Sequence, residues 1–206
     1  MYTNFHKLAD EKQRQIINVA MQEFIQYGFE KASTNAITSN AKISKGALFH
    51  YFNTKKELYL YLLEYSTEVI EKLYAQIDLS ETDLFARLEN IGLQKMKIQQ
   101  KYPRVFDFLT STKDEKSAEV KEVIMEKKDR VFQKGIAKIY DKIDYSPFRE
   151  DLDIEKAVEI LNWTMFGFSE KAVRQIDSFE NSEQMGEEFF RQWKSYSEIL
   201  KKSFYK

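Results

Sequence analysis

Between residues 45 and 50 lie Lys45, Gly46, Ala47, Phe49 and His50, side chains whose chemistry suits the edges of DNA bases and the phosphates beside them. Lys45 can donate to guanine O6 and N7 or to a phosphate, Ala47 offers a methyl to thymine, and His50 can donate to a phosphate or a base acceptor. Gly46 would let the start of a helix approach closely. From Lys31 to Lys56 there are five lysines and no Asp or Glu, in a chain where 33 acids slightly outnumber 32 bases. Such a window is what a surface facing phosphates needs. Taken singly, Lys45 and His50 read as ordinary exposed residues, so the case rests on the elements that hold them.

Those elements are two short helices and the start of a third. Ser33 caps a helix with Ile37 and Ala41 inward, and Ser44 caps a second with Leu48 and Phe52 inward. Only Lys42 and Ile43 separate them, which makes a helix-turn-helix whose second helix is sized for the major groove. With Leu48 and Phe52 inside, residues 45, 46, 47, 49 and 50 face outward. Thr54 and Glu57 then form a T-x-x-E capping box for the next helix, with Lys55 and Lys56 in its first turn. Upstream, Asp10 and Gln13 suggest a capping box for a helix carrying Ile16, Ala20 and Phe24 on one stripe. Gly28 can take the left-handed conformation and end it, and Phe29 then folds back. The expected core of this three-helix module is Ile16, Ala20, Phe24, Phe29, Ile37, Ala41, Ile43, Leu48 and Phe52.

The body beyond it reads as longer helices. Lys55 to about Ile77 carries Leu58, Leu62, Tyr65, Val69 and Leu73 on one face and is the natural connector. A helix from about Asp83 ends at Tyr102-Pro103, a short helical segment covers Arg104 to Leu109, and a long charged helix runs from about Ala118 to Ile143. The stretch from Asp144 to Asp153 reads as an interior linker. Two helices follow, with a break near Ser178 to Ser182. The first is apolar on more than one side and must be covered on more than one side. That predicts a homodimer built on the last two helices, with Met165, Phe168, Ala172, Phe189 and Trp193 at its interface. Phe106, Phe108, Leu109, Met125, Phe132, Trp163 and Phe166 could line an adaptable apolar pocket for a small lipophilic or aromatic effector, or be plain core.

Composition excludes much else. Few glycines (6) and prolines (2) in 206 residues favour an all-α chain with room for one or two small domains. A net charge of −1 argues against indiscriminate nucleic-acid binding, so any DNA contact is local. No cysteine is present, which excludes disulfides and thiolate metal sites and fits a reducing cytoplasm. No signal peptide or membrane-spanning run is seen. With only His6 and His50 and no Gly-rich phosphate loop, neither a catalytic triad nor a metal or cofactor site is apparent, and an enzyme is not expected.

The residues IleIleAsnValAlaMetGlnGluPhe (16–24), Gly28-Phe29, Ser33-Thr34, Ile37, Ala41, IleSerLysGlyAlaLeuPheHisTyrPhe (43–52) and Lys55-Lys56-Glu57-Leu58 resemble the DNA-binding domain of the tetracycline-repressor (TetR) family. The resemblance covers roughly the first quarter of the chain. It implies a homodimeric, ligand-responsive bacterial transcription factor, usually a repressor, on a palindromic operator in double-stranded DNA. It divides the chain into a DNA-binding domain, 1–53, and a helical ligand-binding and dimerisation domain, 54–206. By that resemblance Ser33, Lys45, Gly46, Phe49, His50 and Lys55 occupy DNA-contacting positions. Two residues depart from the pattern. Lys42 replaces the turn glycine, which would put a bulky residue at φ > 0 at a cost of about 1 kcal/mol. Phe49 replaces a tyrosine and has no hydroxyl to donate. A ligand-independent architectural or division-site protein on the same scaffold is the nearest alternative, and a helical enzyme or interaction module a more distant one.

Overall fold

A computed structural model describes residues 2–102, 104–174 and 182–206. The regular elements among them are α-helical: α1 Thr3–His6, α2 Asp10–Lys31, α3 Thr34–Asn40, α4 Lys45–Phe52, α5 Lys55–Ala75, α6 Leu84–Lys101, α7 Val105–Ser111, α8 Ala118–Tyr140, α9 Ile154–Arg174 and α10 Ser182–Phe204. A 3-10 turn, Thr112–Asp114, follows α7. The expected break near Ser178 falls outside the described residues. None of the described helices is long and apolar enough to cross a membrane.

The helices group into two compact units, residues 1–72 with 102–134, and residues 73–101 with 135–206. In the first, Ile16, Ala20, Phe24, Phe29, Ile37, Ala41, Leu48 and Phe52 are buried as expected, while Ile43 is half-buried. The connector α5 buries Leu58, Leu62 and Val69 in this unit. Packed on α2 is α7, which buries Val105 and Phe108. The Phe108 ring meets Tyr59 edge-on at 5.2 Å, and Tyr59 meets Phe24 at 5.0 Å and Phe29 at 5.3 Å. Edge-to-face contacts of this kind hold rings beyond their burial alone.

Gly28 sits inside α2 at φ 67°, ψ 176°. The positive φ was expected, but this ψ is not the left-handed helical well. It belongs to a region open essentially to glycine alone. The helix resumes for one turn after it, and the Phe29 N–H, cut off from its intrahelical acceptor, donates to Glu115 Oε2 at 2.7 Å. The other oxygen of Glu115 accepts from the Lys116 and Ser117 amides, each at 2.9 Å. Two further sequence expectations change. Asp10 is the first helical residue rather than the cap: Ala9 caps without a side-chain bond, and Gln13 instead donates to the Leu8 carbonyl at 2.8 Å. In the Thr54–Glu57 box only one half forms: Thr54 Oγ1 accepts from the Glu57 amide at 3.0 Å, while the Glu57 carboxylate takes Asn53 Nδ2 at 2.9 Å.

The second unit has its core on Leu84, Phe85, Leu88, Ile139, Phe148, Ala157, Leu161 and Phe204. The stretch 144–153 is irregular, but it is packed rather than a bare linker. Phe148 is buried and pairs with Tyr205 in an isolated antiparallel bridge, with Arg149 N donating to Phe204 O at 2.9 Å. Arg87 is 1% exposed. Its guanidinium donates to the carbonyls of Glu81 (2.8 Å from Nε), Ile139 (3.0 Å), Asp141 and Leu79 (3.5 Å). Two of these lie at the C-terminal end of α8, where helix carbonyls lack intrahelical partners and the dipole favours a cation. Gly135 of α8 lies against Tyr74 so closely that a Cβ there would sit 2.2 Å from the ring.

Candidate nucleic-acid interface

Serine caps fix where α4 and its neighbour α3 begin. Ser33 Oγ accepts from the Ala36 amide at 3.3 Å, and Ser44 Oγ from the Ala47 amide at 3.0 Å. The turn between α3 and α4 closes through Ile43 N on Thr38 O at 3.0 Å, with Lys42 at φ 53°. Lys42 thus takes the left-handed conformation expected of it. Lys12 of α2 braces the same turn, its ammonium donating to the Ala41 carbonyl at 2.8 Å and to Lys42 O at 3.4 Å. Leu48 and Phe52 are each 1% exposed, which anchors α4 by its inner face and turns residues 45, 46, 47, 49 and 50 outward.

On that outer face Lys45, Gly46 and His50 are exposed, and Ala47 and Phe49 half-buried. A Cβ on Gly46 would meet only Ser44 Oγ, at 3.9 Å, so nothing within the protein demands glycine there. Lys31, Lys42 and Lys56 add exposed positive charge, and Ser33 is exposed beside them. Lys55 is placed differently. It is half-buried, donates to the carbonyls of Glu30 (3.0 Å) and Ala32 (3.4 Å), and lies 4.9 Å over the Phe29 ring. Its ammonium caps the last turn of α2, whose carbonyls lack helical partners.

Sequence reasoning began its first helix near Asp10 and missed α1. Phe5 is fully buried against Phe52 (4.8 Å), Tyr61 (5.3 Å) and Tyr51 (5.9 Å). Asn4 Nδ2 lies 2.9 Å from His50 Nε2. The available signal was Tyr2 and Phe5, aromatics three apart in an otherwise polar run. Burial, with Tyr65 and Glu68 nearby, pushes the Tyr61 hydroxyl up to about 12.

The expected effector residues fall in both units. Phe108 is fully buried in the aromatic cluster, Phe106 and Leu109 are half-buried, and Met125 (56%) and Phe132 (42%) are exposed on α8. Trp163 and Phe166 belong to the second unit and lie on the outer face of α9, Trp163 at 67% exposure. Of the expected dimer residues, Met165 and Trp193 pack on their own unit's core, Phe168 meets Trp193 at 5.9 Å and Tyr196 at 5.6 Å, and Phe189 is half-buried. The side chain of Ala172 lies outside what the structure describes. Among the described residues no His, Cys, Asp and Glu cluster could hold a metal ion.

A profile of bacterial regulatory proteins of the tetR family matches residues 16–62. The uncharacterized HTH-type transcriptional regulator YuxN of Bacillus subtilis is 42% identical over 55 residues, 27% of this chain and 19% of that protein. The A-factor receptor protein of Streptomyces griseus is 33% identical over 58 residues, 28% of this chain and 21% of the receptor. The match therefore spans about a fifth of either relative's own length. The crystal structure of a TetR family transcriptional regulator from Chloroflexus aurantiacus is 25% identical, covers 98% of this chain and 97% of its own, and superposes with a TM-score of 0.64. A sequence match in the helix-turn-helix and a fold shared along nearly the whole chain agree: residues 16–62 match the tetR family of bacterial regulatory proteins, and the chain has the fold of a TetR family transcriptional regulator.

Proposed function

We propose that this chain is a sequence-specific DNA-binding transcriptional regulator, not an enzyme, that reads the major groove with α4. The observation that carries the reading is the outer edge of α4: Lys45, Gly46 and His50 exposed on a helix fixed by its cap and buried inner face, within a window of five lysines and no acid. Residues 1–53 form the reader and 54–206 the regulatory body. Two copies would present two reading helices to the half-sites of a palindromic operator. Support for a homodimer is the outer face of α9 and α10, where Ile160 (43%), Trp163 (67%) and Ile199 (61%) are exposed and a Cβ on Gly167 would meet nothing within 4 Å. Exposed apolar side chains with a small residue among those of α9 suit close packing against a second helix pair.

Release of the operator by a small lipophilic or aromatic effector completes the reading, with repression as the mode. A relative named as a receptor and the aromatic segment around α7 support it. Phe106 and Leu109 are its nearest candidates for ligand contact, and the effector must prefer the conformer whose reading helices are mis-spaced, since only differential affinity shifts an equilibrium.

Selection of bound duplexes from a random pool tests the DNA reading. A two-fold-symmetric site should be recovered, and Lys45→Ala and His50→Ala should each weaken binding to it by about 1–3 kcal/mol. Recovery of no common sequence, or both variants binding like wild type, would overturn the assignment of α4. A thermal-shift screen of lipophilic compounds followed by operator release tests the effector arm, and compounds that stabilise the protein without releasing DNA would count against it.

A further inference from the structure

Asn4 is held beside the reading helix by its neighbours. Phe5 is sunk between Phe52 and Tyr61, and the Tyr2 ring packs on the same two residues at 5.6 and 4.9 Å, its hydroxyl donating to the Glu57 carbonyl at 3.4 Å. The backbone at residue 4 is therefore fixed on both sides while its side chain is exposed. From there the Asn4 amide nitrogen reaches His50 Nε2 at 2.9 Å. An exposed imidazole otherwise samples several rotamers, and ordering it on a ligand costs conformational entropy.

With the Asn4 N–H donating to Nε2, that nitrogen is the acceptor, the ring is neutral, and its proton sits on Nδ1. We infer that Asn4 is a specificity-positioning residue. It sets the tautomer and plane of His50 so that the imidazole offers a donor, Nδ1–H, to the DNA. The inference rests on α4 being the reading helix. A ring held this way selects acceptors, such as guanine O6 and N7 or thymine O4. It would meet the amino group of cytosine donor to donor. Without Asn4 either ring nitrogen could carry the proton, and the discrimination at that base pair would fall. The short α1 is thereby part of the reading surface and not only a cover for Phe52.

Two measurements on the full-length protein test this. The first is the nitrogen-15 spectrum of the His50 ring, which reports the protonated nitrogen. Wild type should show Nδ1–H, and Asn4→Ala should shift toward Nε2–H. The second is binding to the selected duplex and to its single base-pair variants. Asn4→Ala should bind roughly 3- to 10-fold more weakly, the effect of one neutral hydrogen bond. The lost preference should be confined to one base pair per half-site, with the salt slope unchanged. The double variant Asn4→Ala, His50→Ala should bind no worse than His50→Ala alone. Asn4 is exposed, so the melting temperature should not move. An Nε2–H ring in wild type, wild-type binding by Asn4→Ala, or losses that multiply in the double variant would each overturn the inference. If His50→Ala binds like wild type but Lys45→Ala does not, α4 still reads DNA and only this inference falls. If neither variant matters, the reading helix itself is misassigned.

Discussion

Arg87→Met should be among the most damaging single changes available in the second unit. The methionine matches most of the stem but supplies none of the donors that now reach Leu79, Glu81, Ile139 and Asp141. Each carbonyl left bare costs about 1–3 kcal/mol, a penalty that already contains the lost hydrogen bond, so the four acceptors, three of them part-buried and within reach of water, come to about 4–12 kcal/mol. Against this, the variant no longer has to desolvate a guanidinium that is 1% exposed, which returns several kcal/mol. The balance is a net loss of about 3–5 kcal/mol, or about 6–20 °C in melting temperature for a chain of this size. Arg87→Lys keeps the charge and up to three donors but not the planar fork, so its loss should be about half as large. Urea unfolding followed by circular dichroism measures both, with m-values compared to confirm that the unfolded reference is unchanged. An Arg87→Met midpoint within about 1 kcal/mol of wild type would refute the view that this side chain holds the end of α8.

Gly28→Ala should destabilise the first unit by about 1–3 kcal/mol, because ψ near 180° at positive φ is open to glycine alone; an unchanged denaturation midpoint would show that the kink can relax. Asp107 has a side chain 8% exposed, and burial, opposed by Arg104, pushes its carboxyl up to about 6. Because the folded value lies above the unfolded one of about 3.9, its contribution to stability is full below pH ~4 and lost as pH rises through ~6, a swing of about 2–4 kcal/mol. Asp107→Asn should therefore gain on wild type above pH 6 and not below pH 4, and parallel stability curves for the two would contradict the burial argument. Trp163→Glu should give a folded monomer by sedimentation, with operator affinity reduced toward that of a half-site, since a charge at a buried apolar contact costs several kcal/mol. A fully dimeric variant would remove α9 from the interface.

What the sequence showed well was local. Ser33 and Ser44 cap within three residues of themselves, Lys42 must turn between two caps, and the stripes of α2, α4 and α5 repeat at helical spacing, so all could be read without knowing the fold. What it hid depended on distant partners. A four-residue helix has no periodicity to detect, so nothing marked Phe5 as core until Phe52 and Tyr61 were brought to it. The run from Asp144 to Asp153 has the composition of a loop, and nothing local reveals that Phe148 finds Phe204 and Tyr205. Arg87 on an amphipathic helix reads as surface, because two of its partners, the Ile139 and Asp141 carbonyls, come from 52 and 54 positions away. Lys55 has four rotatable carbons, and only the structure shows that its ammonium turns back to the end of α2. The exposed outer face of α4 was legible in residue type. The contact of Asn4 with His50, 46 positions away, was not.

The close approach of Gly135 to Tyr74 has a mechanical consequence. Helices that touch through interlocking side chains can creep past one another by re-sorting rotamers. Where a ring lies directly on a glycine, only one notch exists along the contact. A displacement of α8 by one turn would carry Val131 or Ile139 into the place of Gly135, and either side chain would collide with the Tyr74 ring. Pivoting about the notch changes no register and forces no side chain into the ring. For the C-terminal end of α5 against α8 the cheap motion is a swing about this notch, which changes the angle between the two helices and keeps their register.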